Sequence, residues 1–123
     1  IVRSPEDVAK LLMPDLLHKK REEFLCVNLT TKNSVIAVDV ISIGTLSSAV
    51  VHPRELFLQA VKRSASSIIV AHNHPSGDPT PSREDIELTR RICQAGEILG
   101  IDVLDHIILG HNRFISLKQE GNM

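Results

Sequence analysis

The sequence predicts an α/β domain, a mixed β-sheet flanked by helices, and three observations carry that prediction. Ser67-Ile68-Ile69-Val70-Ala71 is a short, strongly apolar run of the length of a buried strand. Beyond a Pro-rich loop, apolar residues recur at helical spacing through Leu88, Ile92 and Leu99. Along the whole chain the predicted order is helix, strands, helix, strand, helix, strands, which calls for a sheet with helices packed on it.

Ser4-Pro5-Glu6-Asp7 starts the first helix: a capping Ser, Pro at the first helical position and acids in the first turn. Val8, Leu11 and Leu12 share its apolar face, and its end is expected near Met13-Pro14. His18-Lys19-Lys20-Arg21 reads as a solvated connector. Residues 1–20 are thus expected to be N-terminal helix and connector, 21–117 the main domain, and 118–123 a frayed tail.

Phe24 to Leu29 forms the first strand, and the polar run Thr30-Thr31-Lys32-Asn33-Ser34 turns it back. Val35 to Ile43 then pairs antiparallel with it, and its β-branched content predicts a central strand. Gly44-Thr45 should bend the chain, leaving Leu46 to Val51 extended or irregular. Pro53 opens a helix running to about Arg63, with Leu56, Ala60 and Val61 on one face. The third helix starts after Ser82, runs to about Leu99 and stops at Gly100. Ile101 to Leu104 and Ile107 to Leu109 read as buried strand interrupted by Asp105-His106. Gly110-His111-Asn112-Arg113 is a turn, and Phe114 to Leu117 closes the sheet.

The 123 residues suffice for one domain with a modest core, which must be aliphatic because Trp and Tyr are absent and Phe numbers only 3. A net charge of -1 provides no basic face, so nucleic acid is not an expected partner of this domain. No apolar run of about 18 residues and no secretory signal pattern occur, so a soluble, cytoplasmic protein without membrane contact is expected. Cys26 and Cys93 lack metal-motif spacing and read as reduced core residues. Opening on Ile1 and not on Met, the sequence reads as a piece of a longer protein.

The loop after the apolar run carries the chemistry. His72 and His74 are two apart at the end of an extended segment, so alternation puts both imidazoles on one side. Asp85 falls in the first turn of the third helix, on the face of Leu88, Ile92 and Leu99, and so points towards that strand end. Two imidazoles and a carboxylate suit zinc with one position left open, the arrangement of a catalytic site, and they also suit other divalent ions. A plainer reading competes, since Ser82-x-x-Asp85 spells a capped helix start and the Pro75, Gly77, Pro79, Pro81 series spells a rigid turn. The two readings are compatible, because stiffness is what a preorganised ligand set requires. His52 is an extra ligand or a helix-end residue, the latter preferred; Glu55 rivals as a base, but acids are common in a first turn. The Asp105-His106 pair either orients ligands from behind or satisfies itself within the core.

His72-x-His74-Pro75 followed by Ser82-x-x-Asp85 resembles the JAMM (MPN+/JAB) metalloprotease motif. The full string from His72 to Asp85, with Asp105-His106 downstream, is similar to the RadC branch of that group, over about Ser4 to Ser116. The resemblance implies a JAMM/cytidine-deaminase-like layered fold and zinc held by His72, His74 and Asp85. It further implies that Ser82 helps to stabilise an oxyanion and that an upstream Glu acts as general base. By position this is Glu22, with Glu23 the alternative. The implied activity is zinc-dependent hydrolysis of a peptide or isopeptide bond in a peptide or protein substrate. A zinc nucleobase deaminase is excluded by the absence of His-x-Glu with Pro-Cys-x-x-Cys, and thermolysin-like chemistry by the absence of His-Glu-x-x-His. The other class of reading is a DNA-repair-associated accessory or binding module, as the RadC name implies, with a structural or regulatory metal. RadC-like proteins also carry an N-terminal helical region before this domain, absent from this sequence and an expected partner of it.

Overall fold

A computed structural model describes residues 1–16, 18–44 and 51–123. The elements are α1 (Pro5–Leu16), β1 (Glu22–Leu29), β2 (Val35–Gly44), α2 (Pro53–Lys62), β3 (Ser67–Asn73), α3 (Arg83–Leu99), β4 (Asp102–Leu109) and β5 (Phe114–Ser116). The strands form one mixed sheet in the order β2-β1-β3-β4-β5. β3 pairs antiparallel with β1 and parallel with β4. A parallel pair needs a crossover, and α3 supplies it. The bend expected at Thr45 and the segment Leu46 to Val50 lie outside the described residues.

Alternation along the inner strands divides the core into two layers. Leu25, Val27, Leu29, Ile69, Ala71, Ile107 and Leu109 face α1, where Val8, Ala9, Leu12 and Leu16 cover them. On the other face Phe24, Cys26, Ile68 and Val70 pack against Leu56, Phe57 and Ala60 of α2 and Ile92 of α3. The even-numbered residues of β1 and β3 therefore point towards α2 and α3. Among the described residues no helix is long and apolar enough to cross a membrane.

Several sequence expectations are corrected. Helix α1 passes Pro14 and ends with Leu16, because Leu16 is anchored in the core at 4% exposure while Pro14 lies on the solvent side. The carbonyl that Pro14 leaves without its helical partner is that of exposed Lys10, on the solvent side, where an unpaired carbonyl carries little cost. Leu11 faces outward, and Ala9 and Leu16 complete the apolar stripe. Strand β2 is an edge strand, not a central one, with Val40 and Ile43 more than half exposed. β-Branched residues favour any pleated surface, so their abundance does not tell edge from centre. Val61 and Leu99 are likewise exposed, and the inward stripe of α3 is Asp85, Thr89, Ile92 and Gly96. Strand β4 continues through Asp105-His106, with a register shift opposite Ile68/Ile69. Both cysteines are free, Cys26 buried and Cys93 half-buried. Residues after β5 form a turn, with the Asn122 N–H donating to the Leu117 carbonyl.

Gly96 marks the tightest approach between α3 and the start of β4. A Cβ there would lie 2.5 Å from the Ile101 carbonyl oxygen and 3.0 Å from Val103 Cγ2. Gly96→Ala would gain up to about 1 kcal/mol of helix propensity but must displace backbone that is itself bonded to Gly96, and overpacking costs about 1–3 kcal/mol. The expected outcome is a lower urea midpoint at unchanged m-value; a midpoint equal to or above wild type would show that α3 can move away from β4 without cost.

Candidate metal centre

The site lies at the C-terminal end of β3, where the parallel β3-α3-β4 unit meets antiparallel β1. Ligand sites in mixed and parallel sheets favour such a change of strand direction. β3 is buried along its length and Phe24 of β1 pairs with His72. Because β1 runs opposite to β3, its first residue Glu22 arrives beside the end of β3. Asn73 secures that junction: its Oδ1 accepts from the Glu23 N–H at 2.7 Å and its Nδ2 donates to the Arg21 carbonyl at 3.1 Å. Glu22 is thereby clasped at both neighbours, with its side chain on the His72 face.

The Pro-rich loop is fastened to the turn between β4 and β5. The His74 N–H donates to the Leu109 carbonyl and the His111 N–H to the Gly77 carbonyl. Gly77 has φ +93°, where L side chains are strained, and a Cβ on Gly110 would collide with the Gly77 carbonyl. Helix α3 then opens with a reciprocal capping box: the Asp85 N–H donates to Ser82 Oγ at 3.1 Å, and the Ser82 N–H donates to Asp85 Oδ2 at 2.8 Å. The cap fixes the Asp85 carboxylate over the strand end.

Four predicted side chains converge as a result. Ligand atoms of Glu22, His72, His74 and Asp85 all lie within 4.8 Å of one another. His72 Nε2 is 3.0 Å from His74 Nε2 and 3.2 Å from Asp85 Oδ1, and His74 Nε2 is 3.2 Å from Asp85 Oδ2. Glu22 Oε1 stands slightly apart, 3.5 Å from His72 Nε2. Ligands bonded at about 2.0–2.1 Å to a tetrahedral ion lie roughly 3.4 Å apart, so only small adjustments separate this set from coordination. His74 Nδ1 faces the Asp78 carbonyl at 2.9 Å and must donate to it, which leaves Nε2 as the lone-pair nitrogen of a neutral ring. The donor set fits a divalent cation.

Electrostatics agree with the geometry. Burial acts to raise the Asp85 carboxyl, yet hydrogen bonds and charge from His72 and His74 in their protonated forms outweigh it and hold the group well below the ordinary carboxylate range. Burial raises Glu22 above its usual value, against the pull of His72 and His74, and the Asp85 charge adds to the rise. For His74 the burial penalty is overcome by the Asp85 carboxylate and the Asp78 carbonyl, so its pKa is raised. Asp85 is thus held as an anion beside a Glu that takes up a proton more readily than usual.

The other candidates lie elsewhere. The Glu23 side chain sits 3.6 Å from Lys19 Nζ, away from the cluster, as alternation along β1 requires. His52 is the N-cap position of α2 and its side chain makes no capping bond, while Glu55 is exposed beside Arg54. Asp105 and His106 part company: Asp105 accepts from the backbone N–H groups of His106 and Lys118 and from Ser116 Oγ, whereas His106 turns to the opposite face and touches His72. Sequence reasoning did not single out Asn73, Thr89 or Phe24. Their only signal is position, Asn73 between the histidines and Thr89 one turn beyond Asp85.

Comparison with known proteins places these residues in context. A family model described as a RadC-like JAB domain matches residues 2–122. The chain is 65% identical over 121 residues to a UPF0758 protein of Desulforamulus reducens, covering 98% of this chain and 53% of that protein. It is 59% identical over 120 residues to a UPF0758 protein of Caldanaerobacter subterraneus subsp. tengcongensis (98% and 52%) and 54% identical over 121 residues to UPF0758 protein YsxA of Bacillus subtilis (98% and 52%). It therefore spans about half the length of the curated relatives it matches.

The cap has a measurable consequence. Ser82→Ala removes the acceptor for the Asp85 N–H, and such losses cost about 0.5–2 kcal/mol. Urea unfolding of metal-free protein should show that decrease; an unchanged midpoint would mean that water replaces the hydroxyl at no cost.

Proposed function

This chain belongs to the RadC-like JAB domain family, and from that membership and its ligand cluster we propose that it is a zinc-dependent hydrolase of the JAMM type that cleaves peptide or isopeptide bonds. One observation carries the reading: two imidazole Nε2 atoms 3.0 Å apart, each within 3.2 Å of a different oxygen of one buried carboxylate. Two bare lone pairs at that separation repel, so the pair must share a cation, either a proton on one ring or a metal ion, and the carboxylate oxygens facing both nitrogens suit the metal ion. Bound by His72, His74 and Asp85, zinc supplies Lewis acidity, making a water acidic enough to deprotonate near pH 7 and polarising a carbonyl oxygen.

The protein's own groups do the rest. Glu22 is beside the cluster and its carboxyl is shifted upward by burial, so it suits a group that takes a proton from the attacking water and returns it to the leaving amine. Ser82 Oγ accepts from the Asp85 N–H, which leaves its own O–H free to donate to the carbonyl oxygen as negative charge develops there. Asp85, kept anionic, balances the charge of the cation. The substrate is a peptide or protein, and the companion region in the full-length protein remains a proposed partner.

Zinc content tests this reading. Wild type supplied with zinc should hold about one ion per chain, and His74→Ala and Asp85→Ala should hold none. Glu22→Gln should keep the metal and lose about 10²–10⁴ in hydrolysis, measured on a panel of peptides and isopeptide-linked conjugates. Normal turnover by Glu22→Gln would remove Glu22 as the base. A wild type that takes up no zinc would overturn the hydrolase reading in favour of a binding module associated with DNA repair.

A further inference from the structure

Behind the cluster, an unbroken hydrogen-bonded chain runs through the core. His72 Nδ1 lies 2.8 Å from His106 Nε2, and His106 Nδ1 lies 2.5 Å from Thr89 Oγ1. Thr89 Oγ1 in turn donates to the Asp85 carbonyl at 2.7 Å. His106 is 0% exposed, His72 and Thr89 are each 1% exposed, and the ring of Phe24 stacks on His72 and meets His106 edge-on. We propose that Thr89 and His106 are positioning residues: together they set the tautomer of His72, so that its Nε2 presents a lone pair to the metal site. This inference rests on the reading of the cluster as a metal site.

In the proposed chain the protons run one way: a hydroxyl has a single proton, and with that proton on the Asp85 carbonyl Thr89 accepts from His106. His106 must then carry its proton on Nδ1. Fully buried and bonded to no carboxylate, His106 is neutral, and its Nε2 is bare. That bare nitrogen accepts from His72 Nδ1–H, and a neutral His72 with its proton on Nδ1 has its lone pair on Nε2. The chain thus starts at a helix carbonyl and ends at the ligand atom. It differs from the usual arrangement, in which a ligating histidine donates directly to a carboxylate or carbonyl. His74 follows that usual arrangement, with Nδ1 against the Asp78 carbonyl. His72 reaches its anchoring carbonyl only through two intermediaries, and that carbonyl belongs to Asp85, another residue of the same cluster.

The alternative is the reversed chain, in which Thr89 donates to His106, His106 donates from Nε2, and His72 carries its proton on Nε2, where it blocks the site. The two are distinguished by long-range proton–nitrogen correlation spectra of metal-free protein near pH 8, where each neutral tautomer has its own pattern. In wild type, His72 and His106 should both be protonated on Nδ1. Thr89→Val, which keeps the shape but offers His106 no acceptor, should move His72 towards the Nε2-protonated form and weaken zinc binding about 10- to 100-fold in competition titrations. Thr89→Ser should restore both. Should Thr89→Val not fold, His106→Phe, which leaves His72 Nδ1 without an acceptor, should give the same loss.

An Nε2-protonated His106 in wild type would overturn the proposal outright. So would Thr89→Val with an unchanged His72 tautomer and wild-type zinc affinity. A merely structural role for Thr89 would lower stability without moving the tautomer. If wild type shows the expected tautomers but binds no zinc, the metal-site reading fails while the spectra still decide the relay.

Discussion

Everything in the candidate site depends on how β3 is paired. It is antiparallel to β1 and parallel to β4, so one end of the sheet collects the last residues of β3, the first residue of β1 and, through the crossover, the first turn of α3. Antiparallel pairing on both sides of β3 would leave no crossover there, and Asp85 would not return to the strand end. With this pairing Phe24 lies directly opposite His72, and the Asn73 side chain extends the contact to Glu23, 50 positions away in the chain.

Direction is settled by alternation, and rigidity by a second set of bonds. Even-numbered residues of β1 and β3 face the α2-α3 layer, so Glu22, Phe24 and His72 share a side, while Glu23 and Asn73 turn away. Asn73 uses its turned-away position to hold Arg21 and Glu23. Capping ties Ser82 to Asp85, and Gly77 and Gly110 let the Pro-rich loop lie against the β4-β5 turn. Each of these features has an ordinary structural purpose. Their sum is a set of ligand atoms whose positions are fixed before any ion arrives, which lowers the reorganisation that binding requires.

The polar interior behind the cluster follows from the same pairing. His106 sits on β4 beside Val70 and faces the α3 layer because β4 is parallel to β3 with a register shift near its start. Its neighbour Asp105 faces the other layer and holds the turn after β5. Sequence adjacency therefore says little about partnership inside a strand. No buried side-chain nitrogen or oxygen among the described residues lacks a hydrogen-bond partner, and a buried polar group left unpaired would cost about 1–3 kcal/mol. The polar network is tolerated in an otherwise aliphatic core because it is complete.

The local pattern of residues determined a good deal by itself. Apolar runs, helix caps and the Ser82-Asp85 spacing fix the α/β class, the order of elements and three of the four clustered side chains, since His72, His74 and Asp85 are close in sequence and strand and helix periods orient them. Pairing and burial were not legible. β2 reads as strongly as an inner strand but lies at the edge, Pro14 reads as a stop but is carried past by the burial of Leu16, and neither fact is local. Glu22 over Glu23 could be weighed from sequence only by resemblance, because which of two adjacent carboxylates faces a site half the chain away depends on strand register. The contacts of Asn73, Thr89 and His106 were invisible for the same reason: short-range propensities act over a few residues, whereas the partners of a buried polar group are chosen by which strands the fold brings together.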